Sequence, residues 1–129
     1  MNLLFIEPKD LRSQWGWVRQ GLEKVRSKGH DDWIVEDIYC DCYEGRSTLW
    51  IATQGDINTG LMVLQQAGTT MHVWAVYMAS GDIMEGFNHI KEICKIAKCN
   101  RITFSSNRSG WTRKAKAMGF SQKVWELTI

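Results

Sequence analysis

Acid–base side chains carry most of the chemistry this sequence can offer, because the spacing of its other reactive groups leads nowhere. Cys40-x-Cys42 lacks the two-residue gap of zinc knuckles and redox pairs, and Cys94 and Cys99 add no matching pair, so no metal centre is expected. Ser80-Gly81 and Ser109-Gly110 lack the flanking glycines of a nucleophile elbow, and nothing resembles a phosphate loop with its Lys and Thr. An imidazole, a phenol and two carboxylates remain. His72 lies near the start of the apolar run Met71 to Met78, and its ordinary pKa suits base work near neutrality. Tyr77 sits in the same run, and Glu36 with Asp37 form an acidic pair in a helical segment nearer the N-terminus. Asn107 adds an amide just beyond a strand end, where ligands bind in open α/β sheets, with Arg108, Arg113, Lys114 and Lys116 as a basic cluster beside it. Each has a plain structural reading as well: a strand-end histidine, an aromatic packed in a half-buried strand, a solvated helix face, a helix cap.

The elements that would position these groups follow from periodicity. The chain has 129 residues, 44% hydrophobic, with one proline and no repeat or linker-like stretch, which suits one domain over 1–129. Leu3 to Ile6 reads as a first strand ending at Pro8. Asp10 then serves as N-cap for a helix through Leu11, Trp15, Val18, Leu22 and Val25 that closes at Gly29. A weaker helix runs from about Asp32 to near Gly45. Leu49 to Ala52, Leu61 to Leu64 and Met71 to Met78 form an antiparallel meander across glycine-bearing turns. Ile83, Phe87, Ile90, Cys94 and Ala97 make one core-facing helical stripe that ends near Asn100, and a strand from Arg101 to Ser106 completes a β-α-β unit with parallel strands. A helix from Trp111 to Met118, a stop at Gly119 and a strand from Phe120 to Ile129 finish the chain. The order β-α-α-β-β-β-α-β-α-β describes an α/β fold with a mixed, mostly antiparallel sheet flanked by helices.

Composition excludes other classes. A formal net charge of +2 gives no general attraction to nucleic acid or membrane, and the segment Met1 to Pro8 has neither the basic flank nor the length of a signal peptide or membrane span. Four cysteines are too few for a disulfide scaffold, so reduced thiols and the cytoplasm are expected. Of the seven tryptophans, Trp15, Trp33, Trp50, Trp74 and Trp125 fall on core positions. Trp17 and Trp111 do not.

From His72 to Phe120 the sequence resembles the GNAT superfamily of acyl-CoA-dependent N-acetyltransferases: a strand like Trp74 to Met78, a turn and a long helix, a strand like Ile102 to Phe104, then Asn107, a short helix around Ala115 to Ala117 and the pair Gly119-Phe120. It looks most like the short GNAT-like proteins encoded by tailed bacteriophages, which implies a host cytoplasm or a virion as its setting. The resemblance implies acetyl-CoA as acyl donor and a primary amine on a small molecule or protein as acceptor, in a monomer or homodimer. It implies a strand that splays from its parallel neighbour so that Val76, Tyr77 and Met78 meet the pantetheine arm. Ser80, Gly81, Asp82 and Ile83 would stand at the pyrophosphate turn, with Asn107 and Trp111 along the cofactor edge. His72 would then be the base, Tyr77 the acid, and Glu36 or Asp37 an alternative base.

Three departures accompany these matches. The turn Ala79-Ser80-Gly81-Asp82-Ile83 has one glycine and no basic residue, and Asp82 is placed to cap the helix with the amides a phosphate would need. Ala115 stands where many members have a tyrosine, and one strand follows Gly119 where two are usual. A non-catalytic GNAT-fold protein that binds a protein partner, in a phage particle or against a host factor, is therefore the second expectation. Nucleic-acid binding through the Arg108 to Lys116 helix, with Trp111 stacking, is disfavoured by the low net charge.

Overall fold

A computed structural model of the protein describes residues 2–29, 33–105, 111–121 and 127. The first strand, β1, is Asn2–Ile6. Pro8 opens a 3-10 turn, Pro8–Asp10, where its missing N–H costs nothing. Asp10 is thus part of a turn running straight into helix α1, Leu11–Gly29, instead of a free-standing N-cap; its carbonyl accepts from Ser13 Oγ at 2.8 Å. Leu11, Val18 and Leu22 of α1 are fully buried, as their spacing predicts. Helix α2, Val35–Tyr43, starts later than expected, because the Asp37 carboxylate accepts from the Ile34 N–H at 3.0 Å and fixes the first turn there. It ends before Gly45, whose φ of 80° is the left-handed stop that glycine supplies without strain.

Strands β2 (Thr48–Gln54), β3 (Ile57–Ala67) and β4 (Thr70–Met78) form the meander. All three are longer than their apolar runs, β4 by one residue only. Gln54 pairs directly with Ile57, so the turn is only Gly55-Asp56, and Ile57 to Gly60, expected as turn, extends β3. Helix α3, Ile83–Ala97, ends three residues before Asn100: Lys98 adopts φ 59°, and the Cys99 N–H reaches the Cys94 carbonyl at 2.9 Å, closing the last turn. Strand β5, Arg101–Phe104, follows, then α4, Trp111–Ala117. Phe120 and Ser121 are not in a strand, and the rest of the expected last strand, Gln122 to Glu126 with Thr128 and Ile129, lies outside the described residues apart from an exposed Leu127. Phe120 instead packs edge-on against Phe104, ring centroids 4.9 Å apart.

The sheet order is β1-β2-β3-β4-β5, antiparallel except for the parallel pair β4 and β5. One face buries Leu49, Ile51, Leu61, Val63 and Ala75 against α1 and α2; the other buries Met62, Leu64, Met71 and Val73 against Phe87, Ile90 and Ile93 of α3. Both helix layers touch the end of β4 through a glycine. A Cβ on Gly21 would fall 2.8 Å from Leu61 Cδ2 and 2.9 Å from Tyr77 Cδ2, and one on Gly86 would fall 2.8 Å from Val76 Cγ2. Neither position leaves room for a side chain, so β4 is gripped from both sides.

Candidate functional site

The feature on which the expected site depends is a break in β4. Val63 pairs with Ala75 while Leu64 pairs with Val73, which makes Trp74 the extra residue of a β-bulge. A bulge reverses the alternation of side chains. Before it Met71 and Val73 face α3; beyond it Val76 does, while Trp74, Ala75 and Tyr77 pack on the α1–α2 side. Pairing with β5 stops at the same place: β5 matches Thr70 to Val73 and, among the described residues, no strand lies on that side of β4 from Trp74 to Met78, while β3 stays paired on the other. Among the described residues, the edge of β4 that carries Val76, Tyr77 and Met78 is thus unpaired on the β5 side.

At the far end of that edge stands the turn 79–82. The Ala79 N–H donates to the Thr59 carbonyl at 2.9 Å, the Gly81 N–H to the Met78 carbonyl at 2.9 Å, and the Asp82 N–H to Ser80 Oγ at 3.2 Å. Asp82 caps α3, its Oδ1 accepting from the Met84 N–H at 3.2 Å and the Glu85 N–H at 3.4 Å. Among the described residues, the amides of Ser80 and Ile83 are the ones left over in this stretch. A helix N-terminus binds a phosphate by presenting free N–H groups to it. Here a carboxylate already holds two of them, and Glu85 adds a second acid in the first turn. These residues do not fit a pyrophosphate.

His72 sits on the tied side of the break. Its Nδ1 lies 2.9 Å from Thr103 Oγ1 across the parallel pair, and burial holds its pKa below the usual 6.5, so the ring is neutral at pH 7. In the tautomer whose Nδ1–H donates to Thr103, Nε2 carries a free lone pair. Trp74, two residues on, packs edge-on against Trp33 with ring centroids 6.3 Å apart, and the Trp33 carbonyl accepts from Arg26 Nε at 2.7 Å. Both indoles are half-buried.

The other expected residues are not gathered here. Tyr77 is about 16 Å from His72 along the strand at the usual rise per residue. It packs against Trp17 at 6.0 Å under Lys24, whose Nζ is 5.5 Å from the ring centre. Glu36 is exposed and ion-paired with Arg19 at 2.8 Å; a backbone hydrogen bond and then the guanidinium hold its pKa below the ordinary carboxylate value. Asn107 and Arg108 lie outside the described residues, as does the side chain of Trp111 at the start of α4. Thr103 and the Trp33–Trp74 contact were missed by sequence reasoning. The excess of tryptophan was a signal for the second, but Thr103 becomes a partner only once the parallel register is known.

A recess of about 320 Å³, lined by Lys91, Cys94, Arg101, Met118 and Phe120 among others, lies at the opposite end of α3 from Asp82 and includes none of the expected site residues. No group of three or more metal-ligating side chains occurs among the described residues, and none of their helices is long and apolar enough to cross a membrane.

No family model and no curated protein matches this sequence. Solved structures do match its fold. A ribosomal-protein-alanine N-acetyltransferase from Brucella melitensis biovar Abortus 2308 superposes with TM-score 0.70 at 7% identity, covering 100% of this chain and 99% of its own. A probable acetyltransferase gives 0.67 at 13% identity over 100% and 98%. The aminoglycoside N-acetyltransferase AAC(6')-Iy in complex with CoA gives 0.62 at 11% identity over 99% and 92%. The fold is therefore the GNAT acetyltransferase fold, as its strand and helix order led one to expect.

Proposed function

We propose that this protein transfers an acyl group from a thioester to a primary amine. What carries the proposal is the break in β4: one strand both opens a backbone edge from Trp74 to Met78 and places a neutral histidine beside the point of opening. A pantetheine arm laid along that edge would bring its thioester to the bulge, with the backbone of Val76 and Met78 as polar partners. The amine nitrogen then attacks the acyl carbon. The C–N bond forms, His72 Nε2 takes the ammonium proton, and the C–S bond breaks to release a thiolate that takes its proton from water. Tyr77 is too far from His72 to serve the same carbon, and Glu36 is committed to Arg19. Trp33 and Trp74 form an aromatic wall on the acceptor side, suited to the apolar body of a small amine or of a lysine or N-terminal residue of a protein.

Thiol release and product mass, measured with acyl thioesters and a panel of primary amines, test this directly. His72→Gln is expected to lower turnover by about 100-fold or more while the fold survives. Unchanged turnover in that variant would remove His72 from the reaction.

A further inference from the structure

We infer that Asp82 sets the donor: it closes the N-terminus of α3 to a nucleotide pyrophosphate, and the open β4 edge takes acyl thioesters whose pantetheine arm ends before one. This rests on the acyl-transfer proposal above and specifies the substrate class of the same site. The two halves of the claim come from the two ends of one strand segment. From Trp74 on, β4 has no strand on its β5 side among the described residues, so an extended arm has somewhere to lie. Past Met78 the amides turn inward, to Thr59, to Met78 and to Ser80.

A pyrophosphate at this place would have to take the Met84 and Glu85 amides from the Asp82 carboxylate. It would then stand with its own negative charges between Asp82 and Glu85, against like charge that falls off only with distance and salt. No Lys or Arg occurs from Ala79 to Ile90 to offset that. Arg113, Lys114 and Lys116 of α4 are exposed, and among the described residues the side chain that reaches these acids is His89, its Nε2 3.9 Å from Glu85, which leaves Asp82 without an ion pair. An arm that stops at the pantetheine, or at a single phosphodiester joining it to a carrier protein, leaves the cap intact. The transfer itself is unchanged: acyl C–N forms, C–S breaks, and the thiol leaves with a proton.

The experiment compares S-acetyl-pantetheine, acetyl-CoA and an acetyl-loaded carrier protein as donors for the wild type, Asp82→Asn and Asp82→Ser. Asn and Ser both cap helices, so folding is retained while the charge goes. The wild type is expected to use acetyl-pantetheine at least about tenfold better than acetyl-CoA, with the preference shrinking as salt rises. Both variants are expected to gain about tenfold or more in kcat/KM for acetyl-CoA and to change less than about twofold for acetyl-pantetheine. The carrier-protein arm separates the sources of such a thioester: a further gain over acetyl-pantetheine assigns a tethered donor, parity assigns a free one. Equal use of both small donors by the wild type, unmoved in the variants, overturns the role of Asp82 and leaves acyl transfer standing. Failure of every donor with every variant overturns both, and points to a GNAT-fold protein that binds a partner without catalysis.

Discussion

Two aspartates close junctions between helix and strand in this protein, Asp41 where α2 turns into β2 and Asp82 where β4 turns into α3, and they are held in opposite ways. The side chain of Asp41 is only 14% exposed. It accepts from Ser47 Oγ at 2.6 Å, Arg46 Nε at 2.7 Å and Gln65 Nε2 at 3.2 Å, while its carbonyl takes the Arg46 and Ser47 amides. Asp82 is exposed and holds two amides at 3.2 and 3.4 Å. One carboxylate is a structural knot; the other is a cap that several residue types could supply. The difference separates what the fold needs from what the site has chosen, and substitutions at the two positions should diverge accordingly.

The largest effect is expected at Asp41. Asp41→Ala strips partners from the buried Ser47 hydroxyl and from Gln65 at once, and should cost about 2–4 kcal/mol in urea unfolding. Asp82→Ala, losing one exposed cap, should cost about 1 kcal/mol. Equal costs would erase the distinction. Between them falls Gly86→Ala, which drives a methyl into Val76 at the open end of β4; about 1–3 kcal/mol is expected from overpacking.

Acid titration sharpens the contrast. Burial alone would push the Asp41 pKa up, but the hydrogen bonds from Ser47, Arg46 and Gln65 outweigh it and hold the pKa below the ordinary 3.8. A carboxylate with a depressed folded pKa adds stability that is full above 3.8 and is lost as pH falls through the folded value. Asp41→Asn should remove that acid-range slope. His72 acts at higher pH. Its folded pKa is also depressed, by burial, so the unfolded chain takes up a proton near pH 6.5 before the folded protein does, and stability falls as pH drops below that point. His72→Gln should flatten the melting-temperature profile in that range and leave the slope below pH 4 in place.

How much of this was legible in the sequence depends on whether the information is local. The stripes of α1 and α3, the meander and the β4–α3–β5 unit follow from spacing, because one buried face imposes one period on a helix or strand. The Asp82 cap was equally legible, since an N-cap bonds amides within three residues of itself. The bulge at Trp74 was not: an inserted residue leaves an apolar run looking continuous and shows only in the register with β3. Asp41 was missed because its partners come from a turn and from β3, brought together only by the folded sheet. The pairing of His72 with Thr103 likewise waits on the parallel register.

The smallest stability change should come from Asp82→Asn, and it is the one that decides what the looser aspartate is for. Asn caps a helix about as well as Asp, so the free energy of unfolding should move by no more than a few tenths of a kcal/mol. The loss of favourable charge–dipole contact at the start of α3 is of that size too, and salt weakens it. A cap kept only for the sake of the helix would therefore make Asp82→Asn silent in every assay. A carboxylate kept to hold phosphate away makes the same variant silent in urea and in circular dichroism yet visible as tighter acetyl-CoA binding. Asp41→Asn should show the reverse, a clear loss in urea with donor preference unmoved, because Arg46 and Ser47 lie at the α2–β2 junction and Gln65 lies on β3 opposite His72, all of them away from the turn 79–82.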